Sequence, residues 1–70
     1  MPDALVIQVN GESRETPPGT TVTALLGELG LPAGRVAIEH NLHILPRAKW
    51  ADTHIAHGDR LEIVQFVGGG

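Results

Sequence analysis

The stretch ALVIQVNGESRETPPGTTVTALLGELG (residues 4–30) changes from strand-like to helix-like patterning within one short run of chain. Residues 4–9 form a short run rich in β-branched side chains, which predicts a strand. Asn10-Gly11 predicts a type I′ turn, because both central positions of that turn require a positive φ. The polar residues 12–16 should then return as an edge strand. The residues of the first strand expected to face the core are Leu5, Ile7 and Val9.

The second half of this stretch, residues 20–30, has the apolar spacing of a short amphipathic helix. Thr20 or Thr21 can cap its start, and Gly30 suits the left-handed position that ends it. Gly27 lowers the intrinsic helix propensity, so this helix depends on packing. The residues of the apolar stripe, at i, i+3, i+4 and i+7, are Val22, Leu25, Leu26 and Leu29.

The remainder of the chain predicts three further strands. Residues 35–40 and 43–45 are expected to pair across a turn at Asn41, although the next residue, Leu42, tolerates a positive φ poorly. A connector with one helical turn should follow over residues 47–59, and residues 60–67 form the last strand. The predicted order is β-β-α-β-β-β, an α+β fold in which a mixed sheet of about five strands curls around one helix.

The composition is that of one globular domain. The 70 residues are 41% hydrophobic and 19% charged, and with a net charge of −3 no overall basic character points to nucleic acid. There is no cysteine, so disulfides, thiolate metal sites and thiol nucleophiles are excluded. The N-terminal residues lack a basic segment and a long apolar run. We therefore expect a cytoplasmic protein without a membrane association.

The predicted elements and the glycine-rich end together resemble the ubiquitin-like β-grasp superfamily, and within it the ThiS family of sulfur carrier proteins. The likeness covers essentially the whole chain. One departure is HNLH (40–43), where the family pattern has an Asn-Gly type of turn. The stretches that carry the resemblance are VNGE (9–12), the Thr-Val-x-x-Leu-Leu helix (21–26), PRAKW (46–50), GDRLEIV (58–64) and FVGGG (66–70).

The resemblance implies a cycle of thiamine biosynthesis in which this chain is a protein co-substrate and not an enzyme. A ThiF-like enzyme would adenylate the C-terminal carboxylate with ATP, and a cysteine desulfurase or an equivalent donor would supply sulfur to form a thiocarboxylate. A ThiG-like thiazole synthase would then take the sulfur. The carrier itself would bind no cofactor and would be a monomer when free.

The site residues implied by the resemblance lie at the glycine-rich end. Gly70 would carry the reactive α-carboxylate, with Gly69 beside it, because glycine lets a backbone approach an active-site wall closely. A sulfur carrier without a thiol must hold its sulfur at the chain end. We expect residues 1–67 to form the β-grasp domain and residues 68–70 to form a flexible tail.

Recognition by partners should rest on the last strand. Leu61 and Ile63 alternate with Glu62 and are expected to face the core, so residues 64 and 66 fall on the more exposed face. Exposed apolar residues beside a reactive terminus are candidate docking anchors; the alternative is that the sheet curls over them. Arg60 and Glu62 flank this surface and could tune the orientation of a partner, although a role as ordinary solvated charges is the better interpretation for each. The candidate partner-binding residues are Val64, Phe66, Val67 and Gly68.

The histidine pairs 40/43 and 54/57 have a spacing that could suggest a metal site, but no carboxylate is obviously placed beside the first pair. A surface or loop role is the better interpretation, and no metal site is predicted. Trp50 is expected to cover the core, and Arg47 and Lys49 to be solvated. Two other functions remain open, namely a sulfur carrier for molybdopterin or another metabolite, and a β-grasp binding module. The short chain, the PRxxW motif and the VGGG ending favour the thiazole carrier.

Overall fold

The computed structural model describes residues 4–66, which form a mixed sheet packed against a helix. The strands are β1 (Leu5–Val9), β2 (Glu12–Thr16), β3 (Val36–His40), β4 (His43–Ile44) and β5 (Arg60–Gln65), and the helix is α1 (Val22–Leu29). Short 3₁₀ helices occupy Ala33–Arg35 and Arg47–Asp52. The sheet order is β2-β1-β5-β3-β4, in which β1 and β5 run parallel and the other neighbours antiparallel. This topology confirms the predicted β-grasp architecture.

The first hairpin has the predicted geometry, and its turn also reaches the central strand. Asn10 has φ 52° and Gly11 has φ 83°, as a type I′ turn requires. The Asn10 side chain continues the pairing of β1 with β5, because its Oδ1 accepts from Ile63 N at 2.7 Å and its Nδ2 donates to Ile63 O at 3.2 Å. β2 lies at the sheet edge, as expected from its polar sequence.

Helix α1 begins and ends where the capping residues predict. The Thr21 side chain accepts from Ala24 N at 3.1 Å, and Gly30 ends the helix at φ 72°. The predicted stripe packs against the sheet, with Leu29 half-buried and the others buried. The buried apolar residues of the core are Ile7, Val22, Leu25, Leu26, Val36, Ile38, Trp50, Ile55, Leu61 and Ile63.

Trp50 covers the end of this core from the second 3₁₀ helix. Its side chain is 4% exposed, and its Nε1 donates to Leu45 O at 2.9 Å, so the burial leaves the indole nitrogen satisfied. The predicted core role of Trp50 is therefore confirmed. Arg47 and Lys49 are exposed, as predicted, and the Arg47 guanidinium carbon lies 5.4 Å from the centroid of the Trp50 ring.

β1 and β3 each begin one residue later than predicted, and two other strands end earlier than the sequence patterns suggested. β4 covers only His43–Ile44, because Pro46 follows closely and cannot donate to a ladder. β5 ends at Gln65, although Phe66 N still donates to Arg35 O at 2.7 Å. Val67, with which the last strand was expected to end, lies outside the described residues. No helix among residues 4–66 is long and apolar enough to span a membrane.

Candidate docking face beside the chain end

The sheet face turned away from α1, here called the outer face, carries the candidate partner-binding residues. Ile63 and its cross-strand partner Ile38 are buried against the helix, so the neighbouring pairs in the register must point outward. The outward residues of strands β3, β4 and β5 are Ala37, Glu39, Ile44, Arg60, Glu62 and Val64, and Phe66 follows in the same alternation.

Three large apolar side chains are exposed at the β3–β5 end of this face, and a fourth, Val6 of β1, is exposed farther along it. Val64 is 58% exposed and Phe66 is 56% exposed, which confirms the predicted exposure of both and excludes the alternative that the sheet curls over them. Ile44, which pairs with Glu39 on the edge strand, is 70% exposed. Exposed apolar residues that cluster in this way are typical of protein interaction sites.

Two carboxylates lie between the apolar residues. Glu39 and Glu62 are directly opposite each other in the antiparallel β3–β5 register. Glu62 is exposed and Glu39 is half-buried. Arg60, two positions before Glu62, pairs in the parallel register with Gln8 of β1. Within residues 4–66 the ion pairs within 4.0 Å comprise only His40 with Asp59, so neither glutamate has a basic partner there.

The predicted reactive residues follow this face in the sequence. Phe66 is the last described residue, and the predicted sites Val67, Gly68, Gly69 and Gly70 lie outside the described residues. An extended chain spans at most about 3.3–3.6 Å per residue. A Gly70 carboxylate can therefore lie no more than about 14 Å from Phe66, whatever path the chain takes.

A hydrogen-bonded cluster around Asp59 corrects one prediction about the histidines. Sequence reasoning placed no carboxylate beside the pair 40/43, but His40 Nε2 lies 2.7 Å from Asp59 Oδ2. Asp59 also accepts from Ala56 N at 2.8 Å and from Asn41 Nδ2 at 3.1 Å. Burial by itself would raise the pKa of Asp59, but these hydrogen bonds together hold that pKa below its ordinary value of 3.8.

The four histidines occupy structural or exposed positions. His40 joins the Asp59 cluster, and His43 Nδ1 lies 3.0 Å from Asn41 O in the adjoining turn. His57 Nδ1 accepts from Val6 N at 3.1 Å, so the ring takes the place of a backbone carbonyl at the start of β1. His54 is exposed. Residues 4–66 contain no group of three metal-ligating side chains arranged to hold an ion.

Sequence reasoning missed Glu39 and Ile44 as members of the outer face. Their place follows from the register of β3 against β4 and β5, which strand patterns alone do not supply. It also missed the role of Asp59. The only signal that the sequence offers is the Gly58-Asp59 pair, which is typical of a turn, and a buried carboxylate there would need several donors.

One family model and several curated proteins match this chain. The family model described as "ThiS family" matches residues 7–70. Among curated proteins, the chain is 50% identical over 62 residues to a thiazole synthase from Paramagnetospirillum magneticum, covering 89% of this chain and 19% of that protein. It is 31% identical over 64 residues to the sulfur carrier protein ThiS of Escherichia coli, covering 91% of this chain and 97% of that protein.

The fold has a close counterpart among solved structures. The crystal structure of a thiamine biosynthesis protein (ThiS) from Geobacter metallireducens superposes with a TM-score of 0.81 at 32% identity, covering 94% of this chain and all of that one. The chain spans about a fifth of the length of the first two curated relatives, both of which are thiazole synthases. It spans nearly the whole length of the E. coli protein.

Proposed function

The chain belongs to the ThiS family, and from this premise we propose that it is a sulfur carrier of thiamine biosynthesis that holds sulfur on the α-carboxylate of Gly70. In this role the chain is a co-substrate of other enzymes. The observation that carries the proposal is the family match, which extends through Gly70. The cytoplasm, where ATP and reduced sulfur donors are available, is the compartment in which we propose that it acts.

The proposed chemistry has two steps, both catalysed by partners. A carboxylate oxygen of Gly70 attacks the α-phosphorus of ATP in a ThiF-like enzyme, which forms an acyl adenylate and releases pyrophosphate. A thiol reductant releases the outer sulfur of a persulfide on a cysteine desulfurase or an equivalent donor as hydrosulfide and is itself oxidised to a disulfide. The hydrosulfide then displaces AMP and leaves a thiocarboxylate. The chain has no cysteine, so no internal thiol competes for the activated acyl group.

A thiazole synthase is the proposed acceptor of the sulfur. Support comes from two curated thiazole synthases, each of which contains a segment similar to most of this chain. A segment joined covalently to an enzyme is held at a high effective concentration beside it, which favours a working relationship between the two. We propose that the domain described here meets a ThiG-like synthase by docking through its outer face.

The described fold contributes docking to this cycle. Val64 and Phe66 are exposed apolar anchors. Along the chain, Phe66 lies no more than about 14 Å from Gly70 and Val64 no more than about 22 Å. We propose that a partner holds these side chains while Gly68 and Gly69 pass through a narrow channel to its active site. Glycines suit such a channel because they carry no Cβ. Val67 would pack at the entrance.

The test is a reconstituted activation reaction followed by intact mass. The chain ending at Gly70 is incubated with the ThiF-like enzyme of the same organism, ATP and a sulfur donor, and we expect a product in which one sulfur replaces one oxygen. Two variants serve as matched controls, one lacking Gly70 and one with an alanine added after it. Both should fold as the parent does and remain unmodified. Normal activation of either variant would refute the role of the Gly70 carboxylate.

Transfer to the acceptor separates the thiazole pathway from other sulfur pathways. The purified thiocarboxylate is supplied to the thiazole synthase with its remaining substrates, and we expect the carboxylate form to be regenerated as thiazole forms. A matched reaction with a molybdopterin-forming synthase should leave the thiocarboxylate unchanged. The reverse pattern would assign the carrier to molybdopterin.

A further inference from the structure

We propose that Asn10 is a site of spontaneous deamidation, a reaction that the hydrogen bonds of its side chain to Ile63 hold back in the folded chain. The backbone nitrogen of Gly11 attacks Cγ of Asn10, so that a C–N bond forms and the side-chain amide leaves as ammonia. Water then opens the cyclic succinimide and leaves an aspartate or an isoaspartate. The reaction needs no oxidant, reductant or enzyme. It is independent of the proposed function, because it involves no chemistry at Gly70.

The turn between β1 and β2 supplies the reacting groups. Asn10 and Gly11 form its two central residues, with φ values of 52° and 83°. Glycine has no Cβ that would obstruct the approach of its own nitrogen to the preceding side chain. Among residues 4–66, Gly11 N donates to no backbone acceptor, so the attacking atom is not withdrawn from reaction. Both residues are exposed, so the water that opens the ring can reach them.

The side-chain amide of Asn10, in contrast, is held at both of its polar atoms. Oδ1 accepts from Ile63 N at 2.7 Å, and Nδ2 donates to Ile63 O at 3.2 Å. These roles are fixed, because Ile63 N can only donate and Ile63 O can only accept. Attack makes Cγ tetrahedral and expels Nδ2, so both hydrogen bonds must be given up. We therefore expect the reaction to proceed from a locally opened state of the chain.

A second asparagine in the same fold shows which feature makes Asn10 reactive. Asn41 is held to the start of β5 in a similar way, since its Nδ2 donates to Asp59 Oδ1 at 3.1 Å and its Oδ1 accepts from Arg60 N at 2.8 Å. The residue after it is Leu42, however, whose side chain obstructs attack by its backbone nitrogen. The difference between the two sites lies in the following residue and not in the hydrogen bonding.

The products of the reaction do not fit the place that the amide occupies. An ionised aspartate side chain has acceptors only, so one of its oxygens would face Ile63 O where Nδ2 now donates. Two acceptors in contact leave both without a donor, which is destabilising. An isoaspartate adds a carbon to the main chain and alters the spacing of the turn. Either product weakens the connection between the first hairpin and β5, which also includes the bond from Asn10 N to Leu61 O at 2.9 Å.

Peptide mapping after incubation at mildly alkaline pH tests the site. The parent chain is incubated folded and in concentrated guanidinium chloride, and samples are digested with trypsin, which separates the two asparagines into residues 1–14 and residues 36–47. In the denaturant we expect the first peptide to gain the mass difference between an amide and an acid, with fragment spectra placing the change at Asn10. The folded chain should react at least about tenfold more slowly. The second peptide should keep its mass over the same time.

A variant at the attacking residue tests the mechanism without depending on the fold. In guanidinium chloride the parent and Gly11→Ala are both unfolded, and we expect the alanine Cβ to slow deamidation at Asn10 about tenfold. An unmodified Asn10 in the unfolded parent would overturn the inference. So would equal rates in the folded and unfolded parent, equal rates in the two peptides, or an unfolded Gly11→Ala that reacts as fast as the parent.

The substitution Asn10→Asp reproduces one product and tests what the reaction does to the fold. We expect it to lower the urea midpoint by about 1 M, because a donor to Ile63 O is replaced by an acceptor. Gln8→Glu is the matched control, since it makes the same change from amide to acid at an exposed position of β1. Its midpoint should stay close to that of the parent. If Asn10→Asp were as stable as Gln8→Glu, the contact with Ile63 would not restrain the amide and the inference would fail.

Discussion

His40 Nε2 lies 2.7 Å from Asp59 Oδ2, and this contact ties the end of β3 to the residue that precedes β5. Asn41 strengthens the same connection, since its Nδ2 donates to Asp59 and its Oδ1 accepts from Arg60 N at 2.8 Å. Ala56 N completes the set of donors to the carboxylate. One buried side chain therefore organises the turn before β5 and the hairpin beside it.

The lowered pKa of Asp59 makes this cluster sensitive to acid. Burial opposes ionisation, but the hydrogen bonds to the ionised carboxylate outweigh it, and the pKa in the folded state is below 3.8. Such a group contributes stability above its unfolded pKa and loses that contribution as the pH falls through the folded value. We expect the unfolding free energy to include this contribution at neutral pH and to lose it progressively below about pH 4. Denaturant titrations from pH 7 to pH 2 measure it.

The substitution Asp59→Asn isolates this contribution. The asparagine amide has only one acceptor oxygen, and its NH₂ group cannot accept a hydrogen bond, so it cannot replace both carboxylate oxygens. We expect the unfolding free energy of Asp59→Asn to fall by about 1–3 kcal/mol at pH 7. Between pH 5 and pH 2 that free energy should change less than it does in the parent. Glu12→Gln, at an exposed position, is the matched control and should keep the acid profile of the parent. If the unfolding free energy of Asp59→Asn fell with decreasing pH as steeply as that of the parent, the Asp59 cluster would not be the cause of the acid sensitivity.

The turn between β3 and β4 places a leucine in a left-handed conformation. Asn41 has φ 51° and Leu42 has φ 74°, which are the positive φ values of an Asn-Gly turn. Here, however, leucine occupies the position where glycine is usual. A non-glycine residue in the left-handed conformation destabilises the folded state by about 1–2 kcal/mol. Glycine removes this strain, but it also raises the entropy of the unfolded chain, which offsets part of the gain. We expect Leu42→Gly to stabilise the protein by about 0.5–1 kcal/mol in urea unfolding.

An alanine at the same position separates backbone strain from the loss of an exposed side chain. Leu42 is 76% exposed, so its truncation removes little buried area, while Leu42→Ala retains the Cβ that causes the strain. We expect the urea midpoint of Leu42→Ala to stay close to that of the parent. An equal gain from alanine and glycine would attribute the effect to the exposed side chain and not to the backbone.

Local signals made most of the fold predictable. The Asn10-Gly11 turn, the Thr21 cap, the Gly30 end and the alternation around Ile63 each depend on residues that are neighbours in sequence, and each prediction is confirmed. The strand ends were less accurate. β4 and β5 end at Ile44 and Gln65, and one further backbone hydrogen bond follows each, from Leu45 N to Ile38 O and from Phe66 N to Arg35 O. Such pairing depends on two segments of the chain and not on one pattern.

The candidate site was predictable only in part for the same reason. The exposure of Val64 follows from alternation along one strand, but its neighbours on the face come from β3 and β4. The Asp59 cluster joins residues 18 and 19 positions apart in the sequence, so no local pattern indicates it. The positions of the predicted reactive residues, Gly69 and Gly70, lie outside the described residues.

Trp50 should be the most sensitive core position outside the sheet. Its side chain is almost fully buried and its Nε1 donates to Leu45 O, so truncation leaves both a cavity and an unpaired carbonyl. We expect Trp50→Ala to cost about 3–5 kcal/mol and Trp50→Phe about 1–2 kcal/mol, measured by circular dichroism in denaturant. Arg47→Ala, which removes only the guanidinium over the ring, is the control and should cost less than about 1 kcal/mol. Equal losses for Arg47→Ala and Trp50→Phe would contradict the assigned core role.

Val64 and Phe66 should affect activation and not stability. Both side chains are more than half exposed, so replacing them with alanine removes little buried area from the fold. As anchors on an enzyme surface, however, they would be fully covered, and we expect Val64→Ala/Phe66→Ala to raise the KM for adenylation by at least tenfold. Val6→Ala is the matched control, because Val6 is an exposed apolar residue on β1, away from the chain end. If Val6→Ala raised KM as much as the double variant, the docking site would have to extend across β1, and the assignment to the β3–β5 end of the sheet would be wrong.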